Sequence, residues 1–401
     1  MPGIHKYLTE KKYNIAFIFL TALFLRCLWV FIFAENVPNA LGGVNWDLNP
    51  KLGPLPPGGL VSPDFNQVYD PNARMLAEGK GFSDINGNPT AYVGPGYSFF
   101  ISLIYKLFGV KIEFIRLAQI LIDSLSCLIL MILVHVLTDR EKYTFFVGLI
   151  YAFFPFFIYQ TGLLISETLF LFLLLIYFLV YSFARSSSNL SFYFLSGLFL
   201  GMSCLTRPNA LILFCIFPLI LFFLENHKRK QYLLSSSLVL LGSLIIIFPW
   251  ILRNYILFNQ FIPISSVVFN TVEDTTGAAT GFMDLILKKI SYTFSNPEYL
   301  INHYFTGIFK IWYSTGSKSF DTYIALISYP MILLSFYGLI RGKYKNNIDK
   351  LFIFFSGLIF TIGLLFFAKN LLLRYVVPIF PLIILFSSIA ICELTQKKSV
   401  K

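Results

Sequence analysis

The chain has 401 residues, of which 57% are hydrophobic and only 13% are charged. Soluble domains contain about 45–50% apolar and about 25% charged residues, so this composition excludes an ordinary soluble enzyme and a disordered chain. We attribute the formal net charge of +11 to topology signals in short loops, and we expect no nucleic-acid binding.

Apolar runs long enough to cross a bilayer recur along the chain. A membrane-spanning helix needs about 20 mostly apolar residues, and ten such segments can be drawn. The fifth and sixth segments meet at Pro208, which breaks a helix, so they form either two short spans or one broken pair. The pattern predicts an all-α polytopic membrane protein. The segments lie near residues 13–34, 112–137, 143–160, 165–184, 191–206, 209–224, 232–251, 321–340, 350–368 and 372–392.

Lys and Arg are distributed asymmetrically between the two sides of this topology. They cluster in the short loops that share a side with the N-terminus, and such clusters remain in the cytoplasm. We therefore expect residues 1–401 to form a single module in the inner (plasma) membrane, with both termini cytoplasmic. Two long segments, 35–111 and 252–320, then face outward.

The first outer segment contains two predicted helices after an irregular part at residues 37–63. Asp70 at the N-cap and Pro71 at the first helical position begin a short helix, and Gly79 follows its end. Residues 96–108 are predicted to form an amphipathic or re-entrant helix at the interface, and residues 284–313 of the second outer segment also suit an interfacial helix.

Two carboxylates in the first outer segment are candidate catalytic groups. A carboxylate at a membrane surface can act as a general base towards an acceptor or can hold a divalent cation. Capping the short helix is the competing explanation for Asp70, whereas Asp64 has no evident cap role.

Several motifs around these residues resemble the bacterial integral-membrane glycosyltransferases of the GT-C superfamily. The similarity is to the family-39, protein-O-mannosyltransferase-like group, which includes the lipid A aminoarabinose transferase. The motifs, in chain order, are Asp64-x4-Tyr69 with Gly79-x-Gly81-Phe82, Pro89-Thr90-Ala91-Tyr92-x2-Pro95-Gly96-Tyr97, Ser166-Glu167, Gly197-x3-Gly201 with Thr206-Arg207-Pro208, Pro249-Trp250-x2-Arg253-Asn254, and Arg374-Tyr375-x2-Pro378.

The resemblance implies a fold, a reaction and partners. It implies a GT-C bundle of about ten transmembrane helices, with two outer loops that carry interfacial helices. Enzymes of this group take a sugar from a polyprenyl-phosphate carrier on the outer face of the membrane, with a catalytic aspartate in the first loop. By motif that role falls on Asp64, and inversion at the anomeric carbon is also carried over from the superfamily. The acceptor is a lipid, a glycan or a protein.

Such a reaction needs cations near the outer face to hold the carrier phosphate. Snorkelling of long side chains at the interface is the competing explanation for each cation. Among five candidates for holding the phosphate, we rank Arg374 and Arg253 first. The candidates are Arg374, Arg253, Arg207, Lys310 and Lys369.

Other polar residues on the outer side are further candidates. Glu167 lies in an apolar run, where a carboxylate either orients an arginine, contacts the sugar or binds metal; it is otherwise an interfacial acid. Asp64, Glu167 and His303 are a candidate set for a divalent metal ion. Tyr92 and Tyr97 either line a sugar pocket or belong to an aromatic belt.

Two other function classes remain open. A transporter or flippase for a lipid-linked solute would need alternating access and usually has repeated halves, which this sequence lacks. A polysaccharide polymerase or ligase of another membrane fold would also use outer loops and arginines.

Asp123 within the second span is best explained by internal pairing, with Arg26 as its candidate partner.

Overall fold

The computed structural model describes residues 7, 9–33, 64–187, 189–214, 229–266, 282–313, 318–345, 347–367, 376 and 379–398. Within these ranges the chain is helical apart from turns and one isolated antiparallel bridge between Ser83 and Pro89. The predicted all-α class is therefore confirmed. Predictions for residues 37–63, Lys369 and Arg374 lie outside the described residues.

Eight α-helices and two single π-helical turns are named among the described residues of the N-terminal half, and residues 211–214 are helical as well. One π turn, Trp29–Phe33, extends α1, and the other, Phe65–Tyr69, leads into α2. A 3-10 turn, Pro208–Ala210, follows α8. The helices are α1 (Lys12–Leu28), α2 (Asp70–Ala77), α3 (Gly96–Phe108), α4 (Ile112–Thr138), α5 (Glu141–Phe153), α6 (Pro155–Gly162), α7 (Glu167–Ser187) and α8 (Leu190–Thr206).

The C-terminal half begins with α9, which runs from Arg229 to Phe258. Helix α9 continues through the Trp250–Arg253 motif, past residue 252, near which the second outer segment was predicted to begin. Short helical turns, Pro297–Tyr299 and Leu300–Phe305, separate α10 from α11. The remaining helices are α10 (Phe282–Ser295), α11 (Gly307–Lys310), α12 (Lys318–Arg341), α13 (Asn347–Phe367) and α14 (Phe380–Lys398).

The described helices make this a multi-pass membrane protein. Five of them are long and apolar enough to span a bilayer, and the bent pair α5–α6 adds a sixth if it counts as one span. The predicted third span is therefore interrupted, with a 48° bend between α5 and α6. Pro155 causes the break, because proline lacks a backbone N–H and pushes the preceding residue, Phe154, into an extended conformation.

Glycines allow α8 and α9 to pack closely. A Cβ atom at Gly201 would lie 2.7 Å from the Ser243 carbonyl oxygen, and Gly197 meets the Val239 carbonyl in the same way. The Ser243 hydroxyl also donates a hydrogen bond to the Gly197 carbonyl, at 2.9 Å. Small residues in register let the backbones of membrane helices approach and exchange such bonds, so the Gly197-x3-Gly201 motif is a helix-packing element.

A buried ion pair joins α1 to α4. Arg26 is fully buried, and its Nε donates to Asp123, as the sequence predicted. Arg26 also donates to the Ala152 carbonyl at 2.9 Å, and the Tyr151 hydroxyl donates to Asp123 at 2.9 Å. Charges inside a membrane are costly unless they are paired, so these contacts fix how α1, α4 and α5 meet.

The bundle has two chemically distinct ends. At the terminal end, where α1 begins and α14 finishes, Lys11 pairs with Glu141 at 3.0 Å and Lys345 with Asp139 at 3.4 Å. At the loop end, α4 begins and α8 finishes. Lysines that the sequence assigned to the cytoplasmic loops therefore lie together at the terminal end.

Two helices of the outer segments expose apolar side chains along one face. In α3 the exposed residues are Phe99, Leu103 and Leu107, spaced by one helical turn. In α10 they include Leu287 and Phe294. The predicted helices at 96–108 and within 284–313 are confirmed, and their exposed apolar faces suit the membrane interface.

We predict that breaking the Arg26–Asp123 pair from one side destabilises the protein strongly. Asp123→Leu leaves the Arg26 charge buried without its carboxylate, which costs about 3–5 kcal/mol in comparable pairs. The double variant Arg26→Met/Asp123→Leu removes both charges and should lose much less. Denaturant unfolding in detergent micelles measures both. A double variant as unstable as Asp123→Leu alone would contradict the pairing argument.

Candidate active site

A single π-helical turn places Asp64 at the loop end of the bundle. Asp64 is exposed at the N-cap of the turn, and the backbone N–H of Asp70 donates to the Phe65 carbonyl to close it. Phe65 is buried in an apolar cluster with Tyr97 and Leu164, which anchors the turn to α3 and to the residues before α7. Single π turns are rare and frequently mark functional sites.

Tyr69, at the end of this turn, reaches a polar cluster at the start of α7. Its hydroxyl donates to the Ser166 hydroxyl at 3.3 Å. Burial raises the pKa of the Tyr69 hydroxyl to about 12. The positive charge of Arg207 opposes this rise, whereas the negative charges of Asp64 and Glu167 add to it. Tyr69 therefore stays protonated at neutral pH, and it lies within electrostatic range of both acids.

An ion pair between Glu167 and Arg207 lies at the centre of the cluster. Arg207 Nη1 lies 2.5 Å from Glu167 Oε1 and donates to the Ser166 hydroxyl at 3.4 Å. The Glu167 side chain is only 3% exposed and that of Arg207 14%. Pro208 ends α8 immediately after Arg207 and so places its guanidinium over the start of α7. Glu167 thus orients an arginine, which is one of the roles that the sequence predicted.

Asp70 lies beside this cluster but is engaged within the first outer segment. Its carboxylate accepts hydrogen bonds from the Tyr105 hydroxyl and from Arg74 Nε, the latter at 2.7 Å. Its predicted role as an N-cap is wrong, because the π turn continues directly into α2 and Tyr69 occupies the cap position. The predicted end of α2 is confirmed: Gly79 has φ +77°, and its N–H donates to the Leu76 carbonyl.

Two glycines dock the first outer segment onto the end of α8. A Cβ atom at Gly96 would lie 2.6 Å from the Thr206 hydroxyl, and one at Gly94 would collide with the Leu205 carbonyl. Only residues without a side chain allow this approach. The docking brings the Pro95-Gly96 motif against the Thr206-Arg207 motif, although more than a hundred residues separate them in the chain.

Arg253 fastens the same segment to α9. Its guanidinium donates to the Phe82 carbonyl at 2.6 Å and to the Thr90 carbonyl at 2.9 Å, and it stacks over the Trp250 ring at 4.6 Å. The second outer segment joins this junction, since the Ser266 N–H donates to the Ala91 carbonyl at 2.8 Å. Arg253 therefore links α9 to the backbone of the loop that carries the candidate site, and it also donates to the Asn254 side chain at 2.9 Å.

The two candidate tyrosines of the sugar pocket have different environments. Tyr92 is exposed. Tyr97 is completely buried, and its hydroxyl donates to Gln119, whose amide in turn donates to the Leu163 carbonyl at 2.8 Å. Tyr97 thus joins α3 to α4 and to the chain before α7.

The structure does not bring the predicted metal ligands together. In the part of the chain that it describes, no group of three or more His, Cys, Asp or Glu residues is placed to hold a metal ion. Glu167 instead contacts Arg207, while His303 stacks on Tyr299 in the second outer segment, with ring centroids 4.9 Å apart. Lys310, at the end of α11 in that same segment, is exposed.

Sequence reasoning did not assign a role to Tyr69 or Ser166. Both residues stood in the quoted motifs, Tyr69 five residues after Asp64 and Ser166 next to Glu167. The sequence does not indicate the π turn, and this turn is what directs the Tyr69 side chain from the first outer segment to the start of α7.

One family model matches part of the chain. Residues 92–252 match the family model for dolichyl-phosphate-mannose-protein mannosyltransferase. No curated protein sequence matches the chain.

Solved structures with the same architecture are similar over most of this chain. ArnT from Cupriavidus metallidurans bound to undecaprenyl phosphate has a TM-score of 0.61 and 13% identity, over 83% of this chain and 56% of its own. The archaeal oligosaccharyltransferase AglB from Archaeoglobus fulgidus, in complex with an inhibitory peptide and a dolichol-phosphate, has a TM-score of 0.62 and 13% identity, over 96% of this chain and 51% of its own. The chain spans about half the length of these structures. The predicted GT-C fold is confirmed.

We predict that Arg253→Lys loosens the first outer segment. A lysine ammonium cannot reproduce the planar fork that spans two carbonyls and stacks on Trp250. Hydrogen bonds to charged groups contribute about 1.5–3 kcal/mol, so amides at 82–91 should exchange with solvent roughly tenfold faster or more. Hydrogen-exchange mass spectrometry measures this. Lys310→Gln, which removes an exposed cation from the other outer segment, is the control and should leave exchange at 82–91 unchanged.

Proposed function

We propose that this GT-C-fold membrane protein is a glycosyltransferase that moves a sugar from a polyprenyl-phosphate carrier to an acceptor on the outer face of the cytoplasmic membrane. The mannosyltransferase family match supports the reaction class. The lipid phosphates bound in the similar ArnT and AglB structures support the carrier. The observation that carries the proposal is that exposed Asp64 and the Glu167–Arg207 pair all lie within electrostatic range of Tyr69.

Asp64 is the catalytic base in this proposal. An acceptor hydroxyl or amine attacks the anomeric carbon while the carboxylate takes its proton, and the bond from that carbon to the carrier phosphate oxygen breaks. The attack comes from the side opposite the phosphate, so the anomeric configuration is inverted. Asp64 suits the role because it is exposed to an incoming acceptor, whereas Asp70 is buried.

Arg207 stabilises the departing carrier phosphate. Negative charge grows on the phosphate as the bond breaks, and a guanidinium binds phosphate oxygens through several N–H groups in one plane. Glu167 and Ser166 keep that guanidinium in place before substrate arrives. Arg374 and Lys369 are proposed as further phosphate ligands, while Arg253 holds the loop that carries Asp64.

The proposed orientation places the terminal end of the bundle in the cytoplasm. Lys11, Lys142 and Lys345 lie at that end, and clusters of lysine near membrane spans stay on the cytoplasmic side. Asp64 and Arg207 then lie at the outer face. The acceptor is a lipid, a glycan or a protein that reaches this face.

We predict that Asp64→Asn lowers transfer by about 10²–10⁴-fold, because the amide cannot accept the acceptor proton. Purified protein in nanodiscs is incubated with radiolabelled polyprenyl-phosphate monosaccharides and a membrane extract as the acceptor source. Carrier binding should persist, since Asp64 does not hold the phosphate. Glu78→Gln, another exposed carboxylate on the same loop, is the matched control and should retain activity.

Normal turnover by Asp64→Asn would contradict the assignment of the base. Equal losses in Asp64→Asn and Glu78→Gln would instead indicate a general electrostatic effect of the loop, and would contradict it as well.

We further predict that Arg207→Met weakens carrier binding at least tenfold. Its partner variant, Glu167→Gln, keeps the arginine but releases it from a fixed position, so it should lower the rate of transfer more than it weakens carrier binding. Binding of undecaprenyl phosphate and single-turnover transfer separate the two effects. Unchanged carrier binding in Arg207→Met would contradict the assignment of the phosphate ligand.

A further inference from the structure

A cavity of about 420 Å³ opens at the terminal end of the bundle, between the start of α1, the start of α5 and the end of α14. Helix α4, which passes from one end of the bundle to the other, has 27 residues and is therefore about 40 Å long. The cavity is thus far from Asp64 and Arg207. Small-molecule sites have volumes of about 300–1,000 Å³, so it can hold a ligand.

The rim of the cavity is basic. Lys11 and Lys142 both line it, and Glu141 is the acid that lines it with them. Lys11 pairs with Glu141 at 3.0 Å. Lys142 forms no ion pair within the described residues, so the lining side chains together carry one net positive charge. Glu393 does not line the cavity, although it lies with Lys142 in electrostatic range of Cys392.

The inner wall of the cavity is apolar and continues into the bundle. Met131 of α4 and Phe145 and Phe146 of α5 form this wall below the lysines. Tyr7 also lines the cavity and is buried against His135, one turn of α4 from Met131, with ring centroids 4.1 Å apart. A basic rim above an apolar wall matches a ligand with an anionic head and a hydrocarbon tail.

We propose that this cavity binds an anionic phospholipid of the surrounding leaflet. Its phosphate would lie between Lys142 and Lys11, and the first part of an acyl chain would lie along Met131 and Phe146. The position supports a lipid over a soluble ligand, because the cavity lies where spanning helices end and lipid phosphates are abundant. Basic pockets between membrane helices bind anionic headgroups in this way. The inference does not depend on the transferase reaction.

Native mass spectrometry of the full-length protein in detergent tests the proposal, with phosphatidylglycerol and phosphatidylcholine titrated separately. We expect phosphatidylglycerol to bind several-fold more tightly. Lys142→Gln should weaken its binding about fivefold, the effect of one lysine near a membrane surface. Lys12→Gln is the matched control, because Lys12 is exposed beside Lys11 but does not line the cavity. The Lys12→Gln variant should bind phosphatidylglycerol as tightly as the unchanged protein does.

A second variant tests the cavity without changing charge. Thr395→Trp fills the space at the end of α14 and should also weaken phosphatidylglycerol binding, while thermal unfolding in detergent reports whether the bundle stays folded. Equal losses in Lys142→Gln and Lys12→Gln would overturn the proposal, as would equal binding of the two lipids. Displacement of phosphatidylglycerol by equimolar sn-glycerol 3-phosphate would assign the cavity to a soluble phosphate and overturn it too.

Discussion

Three guanidinium groups, one buried and two partly buried, hold this bundle together through oxygen partners within the protein, because a buried polar group without a partner costs free energy. Arg26 pairs with Asp123 of α4 and donates to two backbone carbonyls of α5, which locks α1 against both helices. Arg207 finds Glu167, which joins the end of α8 to the start of α7. Arg253 finds the Phe82 and Thr90 carbonyls, which fixes the first outer segment on α9. The candidate site depends on the last two of these contacts.

The motifs that are scattered along the sequence become one structure at the loop end. Gly94 and Gly96 lie against the end of α8, where Arg207 follows, and Tyr69 reaches Ser166 at the start of α7. Each contact restricts where Asp64 can lie relative to the Glu167–Arg207 pair. A catalytic base must be held within hydrogen-bonding reach of its substrate, so the rigid docking of this loop is part of the chemistry proposed here.

Hydropathy and helix signals predicted much of the fold, including the interfacial helices, the end of α2 at Gly79 and the Arg26–Asp123 pair. The bend at Pro155 was missed because the apolar run continues through it. The role of Arg253 could not be predicted from the sequence either. Its partners are backbone carbonyls, which leave no residue pattern, and they lie more than 160 residues earlier in the chain. Asp70 was predicted to be a helix N-cap because nothing in the sequence indicates the π turn that precedes it.

The central claim is that the loop end of the bundle breaks the bond between a sugar and a polyprenyl monophosphate. The most direct test follows both halves of a doubly labelled donor, with the label on the sugar and on the phosphate, in proteoliposomes that contain the unchanged protein and are supplied with a membrane extract as the acceptor source. The account predicts that sugar label moves to a new species while polyprenyl phosphate is released in equal amount. Donor that crosses the bilayer intact, with no bond broken, would contradict it and indicate a transporter.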